Sequence, residues 1–169
     1  MPTSLEAALG ADAPNTPATG FTVAIGGWAH GSISTAGDAD FIAVDLVAGQ
    51  SYSFAMVGIG ATALQNGRLR LYASDGTVLL GEDDNSLPNG HALLRFTAVE
   101  TERAYLQASA VGSLAGGYAV SASVGPKAQF DAAMITGILD SHASWSPARG
   151  AGGAGRRAMA AMTVRKRIA

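Results

Sequence analysis

The stretch GDADFIAVDLVAGQSYSF, residues 37–54, alternates apolar and polar positions twice. Ile42, Val44 and Leu46 fall on one face of a strand, with Ala43 and Asp45 opposite. After an AGQ turn at 48–50, Tyr52, Phe54 and Met56 repeat the pattern, with Ser51 and Ser53 opposite. A period of two is what a half-buried antiparallel strand requires, because successive side chains leave it on opposite sides. Read locally, the two runs form one hairpin. Leu69 with Leu71, Leu94 with Phe96, Leu106 with Ala108, and Tyr118 with Val120 repeat the alternation more weakly.

Nine strand candidates follow from this pattern: 21–25, 29–34, 40–47, 51–57, 68–73, 77–80, 91–98, 104–110 and 118–124. Turn signals separate them, among them GG at 26–27, AGD at 36–38, DG at 75–76, LPNG at 87–90 and AGG at 115–117. Short strands at this spacing predict an all-β fold, an antiparallel, jelly-roll-like β-sandwich of eight or nine strands. After Val124 the period changes: AQFDAAMITGILD puts Phe130, Met134, Ile135, Ile138 and Leu139 on one broad face, which predicts one C-terminal amphipathic helix over 128–140. The organisation expected is a flexible lead-in over 1–19, a sandwich over 20–125, a helix and loop over 126–147, and a disordered basic tail over 148–169.

Composition agrees with a β module: 169 residues give room for one core, charged residues are 14%, and glycine is abundant at 22. The chain contains no cysteine, which excludes disulfides and thiolate metal sites. No window reaches the roughly 18 apolar residues of a membrane span. The first twenty residues lack the basic and apolar regions of a signal peptide, so the expectation is a secreted protein exported by a route without a cleaved N-terminal signal. The net charge of −2 hides an asymmetry: six basic residues and no acid lie from Arg149 onward. That tail has no interleaved aromatics and reads as disordered rather than as a nucleic-acid surface; it also reads as a shifted frame or truncated gene.

Two acidic stretches are candidate calcium sites. Asp38 and Asp40 flank the start of one strand, and Glu82, Asp83, Asp84 and Asn85 crowd a loop. Ca²⁺ takes six to eight oxygen ligands, which loops supply. The alternative is that these acids bond turn backbone or are simply solvated. Trp28, Phe41, Tyr72 and Tyr105 could form an exposed aromatic surface for a polysaccharide or an extracellular protein; alternatively, Phe41 and Tyr105 cover the ends of the sandwich. His30, His91 and His142 are not spaced to ligate zinc, and His30 and His91 are expected to be exposed or at an edge. No nucleophile elbow or phosphate loop is present in the sequence, so a non-enzyme is expected.

The strings GDADFIAVDLVAGQSYSF, RLRLYASDGTVLLGEDDN, ALLRFTA, AYLQASA and GGYAVSASV, in this order over residues 21–124, resemble the bacterial pre-peptidase C-terminal (PPC) domain. The following FDAAMITGILDSHASW resembles the segment that opens the catalytic domain of serralysin-like (metzincin) zinc proteases. Departures are Phe41 where the family usually has Trp, Ala73 where it has Asp, and Glu102-Arg103-Ala104 before Tyr105. The H-E-x-x-H zinc motif is not in the sequence. The resemblance implies a non-catalytic accessory module of a secreted protease, truncated before the active site, with a substrate- or surface-binding or secretion- and folding-assisting role. In full-length relatives its partner would be a protease catalytic domain, and some PPC-like modules bind calcium. The alternative is a free-standing, calcium-stabilised adhesion or carbohydrate-binding module.

Overall fold

A computed structural model describes residues 3–4 and 12–125; the predicted helix at 128–140 and the basic tail lie outside the described residues. The strands are β1 (Thr3–Ser4), β2 (Trp28–Ile33), β3 (Ala39–Leu46), β4 (Ser51–Gly58), β5 (Gly67–Tyr72), β6 (Leu79–Asp83), β7 (Ala92–Thr97), β8 (Glu102–Ala110) and β9 (Gly116–Val124). They make two sheets, ordered β1-β2-β9-β4-β7 and β3-β8-β5-β6. Pairing is antiparallel save for the short β1–β2 contact. The fold is the expected β-sandwich.

The alternating rows meet between the sheets. Ile42, Val44 and Leu46 of β3 face Tyr52, Phe54 and Met56 of β4 in one core, which Leu69, Leu71, Leu106, Tyr118 and Val120 complete. Burying such aliphatic and aromatic side chains contributes roughly 1.5–3 kcal/mol each, and a one-residue slip of any strand would turn its row to water. The central strands β4 and β9 are buried on both faces. Their outer side chains Ala55, Val57 and Ala119 pack with Leu87, Leu93, Ile59 and Trp28.

The hairpin reading of residues 37–54 is corrected. β3 pairs with β8, whereas β4 pairs with β7 and β9 in the other sheet. Residues 47–50 therefore arch over one end of the core. Alternation fixes which face of each strand is buried, but two strands facing one core from opposite sides show the same pattern as two neighbours. Among consecutive antiparallel strands, only β5 and β6 are hydrogen-bonded to each other.

Three local expectations also shift. The strand expected at 21–25 reduces to a single parallel bridge, Thr22 with Ala43. Phe21 and Val23 point into the core, and the chain then turns at Gly26–Gly27. The strand expected at 77–80 starts later, at Leu79, because the Asp75 carboxylate holds the amides of Thr77 and Val78 in the preceding turn at 2.9 and 3.0 Å. Consequently Glu82 and Asp83 belong to β6 and not to a loop. His30, expected exposed or at an edge, is buried, its ring 5.8 Å from that of Trp28.

The segment before β2 is bound along β3. The amide of Phe41 donates to Pro14 O at 3.1 Å, that of Ala39 to Asn15 Oδ1 at 2.5 Å, and that of Ala43 to Phe21 O at 2.9 Å. Pro17 then lies against the β5–β6 turn, where Gly76 has φ +69° and a Cβ would sit 2.1 Å from Pro17 Cγ. Both the backbone angle and the close approach require glycine there.

Candidate functional site

The acidic residues at the start of β3 are brought together with one that the pattern did not single out. Carboxylate oxygens of Asp12, Asp38 and Asp40 all lie within 4.8 Å of one another. Asp38 and Asp40 are buried and Asp12 is exposed. Asp38 Oδ2 accepts from the amide of Ser34 at 2.7 Å and from its hydroxyl at 2.9 Å. Asp40 Oδ2 accepts from the Tyr118 hydroxyl at 2.6 Å. Hydrogen bonds to the ionised form offset part of the cost of burying these carboxylates. The oxygen-only donor set suits a hard divalent cation. Asp12 was missed because it lies 26 residues before Asp38 in an aperiodic segment; its one sequence signal is its charge.

The second acidic group is elsewhere, on β6 at the opposite edge of the four-stranded sheet from β3. Two of its members, Glu82 and Asp83, are already engaged in the protein. Glu82 pairs with Arg70 at 2.9 Å, and this hydrogen bond raises the arginine's pKa above its ordinary value. Asp83 Oδ2 accepts from the amides of Leu93 at 2.8 Å and Ser86 at 3.1 Å, and the Ser86 hydroxyl bonds the other oxygen. Asp84 is partly buried and Asn85 exposed in the turn that follows. At the preceding turn the Asp75 carboxyl is held below the usual range, chiefly by the amides of Thr77 and Val78.

Of the four aromatics, three share one surface. Register places Phe41, Gln107 and Arg70 in one row across β3, β8 and β5, and Ala43, Tyr105 and Tyr72 in the next. Neighbours in sequence such as Ile42, Leu71 and Leu106 point into the core, so these rows form the outer face of the four-stranded sheet. The rings of Phe41 and Tyr72 stack with centroids 5.7 Å apart. Phe41 is only 5% exposed, whereas Tyr72 and Tyr105 are partly exposed. Among the described residues, Gln107 Oε1 is buried without a hydrogen-bond donor. Trp28 lies on the other sheet, packed beside Val57, Ile59 and Ala119. Gln107 and Arg70 were missed because no sequence pattern distinguishes a polar outer-face residue that lies beside an aromatic from any other.

His91 is half-buried just before β7, and burial lowers its pKa below the ordinary histidine value. Its Nδ1 accepts a long 3.4 Å bond from the Gly58 amide.

The sequence matches no protein-family model and no curated protein. Among solved structures, the chain is similar to the pre-peptidase C-terminal domain of a collagenase from Bacillus anthracis: 17% identity, TM-score 0.47, covering 60% of this chain and 92% of that one. It is also similar to a surface-associated copper-binding protein from Methylomicrobium album BG8, at 10% identity and TM-score 0.46, covering 62% of this chain and 98% of that one. A third is a periplasmic inhibitor of g-type lysozyme from Aeromonas hydrophila, at 16% identity and TM-score 0.36, covering 60% of this chain and 96% of that one. Similarity at this level assigns neither a ligand nor a partner to this chain.

Proposed function

We propose that this chain is a non-catalytic accessory β-sandwich module of a secreted serralysin-like zinc protease, and that it binds an extracellular polymer or protein surface. The outer face of the four-stranded sheet supports the reading. Tyr72 and Tyr105 offer partly exposed rings beside Arg70, fixed by Glu82. Rings supply stacking area, and a fixed guanidinium supplies directed hydrogen bonds, as recognition of a polar polymer requires. The protease context rests on FDAAMITGILDSHASW, beyond the described residues. The test is co-sedimentation of the full chain with insoluble polysaccharides and with fibrillar collagen. Retention on one of them is expected to fall about tenfold, or ~1.4 kcal/mol, in Tyr72→Ala/Tyr105→Ala with the melting temperature kept. Retention unchanged by that double substitution, or absent from every polymer, overturns the reading.

The cluster of Asp12, Asp38 and Asp40 favours a second element, a calcium ion that ties the lead-in to β3. These three residues would hold it, and its charge would offset the repulsion of the carboxylates. A thermal melt in excess EGTA and in millimolar Ca²⁺ tests this. A ligand at 100 times its Kd adds about 2.7 kcal/mol to the folded state. The expected rise in midpoint is lost in Asp12→Asn and kept in Asp83→Asn. No rise in the parent chain removes calcium from the account and leaves the polymer-binding face untouched.

A further inference from the structure

Seven large apolar side chains are exposed among the described residues, and five of them lie at one end of the sandwich: Ile25, Val47, Val78, Val99 and Val124; Leu79 instead pairs with Tyr72 on the outer face of the four-stranded sheet. Hydrogen bonds gather the loops of these five. Gly49 donates to Ala98 O at 2.7 Å and Ala98 to Gln50 O at 2.9 Å, which joins the loops that carry Val47 and Val99. The Ser74 amide donates to the Glu102 carboxylate at 2.9 Å, which draws in the turn before Val78. Gly26 donates to Ala122 O at 2.7 Å, and Gly125 to Ser51 O at 3.4 Å, which bring Ile25 and Val124 to the same end. Val99 is 82% exposed and Val47 53%. Single exposed aliphatics need no explanation, but five converging from five separate segments define an apolar patch, and such patches mark interaction surfaces.

The chain leaves the sandwich at this same end, at Gly125. Five residues later begins the run whose apolar positions are Phe130, Met134, Ile135, Ile138 and Leu139. We propose that the apolar end is the docking surface for the chain's own residues 128–140. At up to ~3.6 Å per residue, Phe130 can reach about 18 Å from Gly125, enough to cross the ~10 Å between sheets. A helix of thirteen residues would be about 20 Å long, comparable with the width of four strands at ~4.8 Å spacing. The short tether gives the segment an effective concentration in the millimolar range, which a second copy of the chain or a separate partner does not match. This inference is independent of the polymer-binding face, which lies on the side of one sheet and not at its end.

The lack of native cysteine gives a clean test. The full chain carrying Val99→Cys with Ile138→Cys is oxidised at low protein concentration, beside a control carrying Leu114→Cys with Ile138→Cys. Leu114 is the exposed apolar residue in the β8–β9 loop at the opposite end. The expected result is an intrachain disulfide that forms at least tenfold faster for the Val99 pair. Equal rates for the two pairs overturn the proposal, and so does a bridge that forms only between chains, which assigns the end to a second copy. Because Val99 is so exposed, its replacement leaves the fold intact. As a second readout, Ile138→Asp is expected to raise binding of an apolar dye severalfold with no loss of the main melting transition; unchanged dye binding counts against docking.

Discussion

Replacing Tyr118 by Phe tests what holds the two sheets together besides apolar contact. Tyr118 on β9 is fully buried, and its hydroxyl donates to Asp40 on β3 at 2.6 Å, across the core and between residues 78 apart in sequence. The substitution removes one oxygen and keeps the ring that packs against the core. A hydrogen bond to a charged group is worth about 1.5–3 kcal/mol, and a buried carboxylate that loses a donor is the costly case. For a domain of this size about 1 kcal/mol shifts the midpoint by ~4 °C, so the expected fall is roughly 6–12 °C. Tyr52→Phe is the internal comparison. Its hydroxyl accepts from the Val47 amide at 2.8 Å, a neutral bond, worth about 0.5–1.5 kcal/mol and so ~2–6 °C. Both variants are measured by thermal melting at neutral pH and by denaturant midpoint. A loss for Tyr118→Phe no larger than for Tyr52→Phe would refute the charge-assisted assignment and leave Asp40 with no special role in joining the sheets.

Gly58→Ala is expected to lower the urea midpoint by an amount equal to about 1–3 kcal/mol or more, because a Cβ there would lie 2.0 Å from the backbone oxygen of Leu64 and cannot be relieved by a side-chain rotation. The folded-state pKa of His91 lies below its unfolded value, so its contribution is fully present above about pH 6.5 and is lost as pH falls from there through the folded value; His91→Gln is expected to flatten the stability–pH curve over that window. Removing residues 1–19 is expected to release the bonds that Pro14 and Asn15 make to β3, and to give concentration-dependent association by light scattering, since an open strand edge pairs with another.

Much of the sandwich was legible because burial on one face writes a period of two into the chain. The rows Ile42–Val44–Leu46 and Tyr52–Phe54–Met56 are core, as their spacing implies. Partner choice was not legible, since the pairing of β3 with β8 depends on which strands meet across about sixty residues of sequence, and alternation carries no information about that. The 77–80 strand was misplaced because Asp75 holds two following amides, a side-chain effect stronger than the β preference of Thr77 and Val78. Two of the three carboxylates in the cluster were legible as a pair of acids at a strand start. Asp12 was not, since only tertiary structure brings it there.

The lead-in and the sandwich act as one unit at the edge of β3. An edge strand presents unpaired amides and carbonyls, and a sandwich must cover or pair them. Here Ala39, Phe41 and Ala43, three of the outward-facing donors of β3, all bond to residues 14–21. The same stretch sends Ala13 and Phe21 into the core and Pro17 onto Gly76. It also delivers Asp12 to Asp38 and Asp40. The chain that closes the edge is thus the chain that completes the acidic cluster. A cation bound there would stabilise the covered edge, and by linkage closing the edge would raise affinity for the cation by the same coupling free energy.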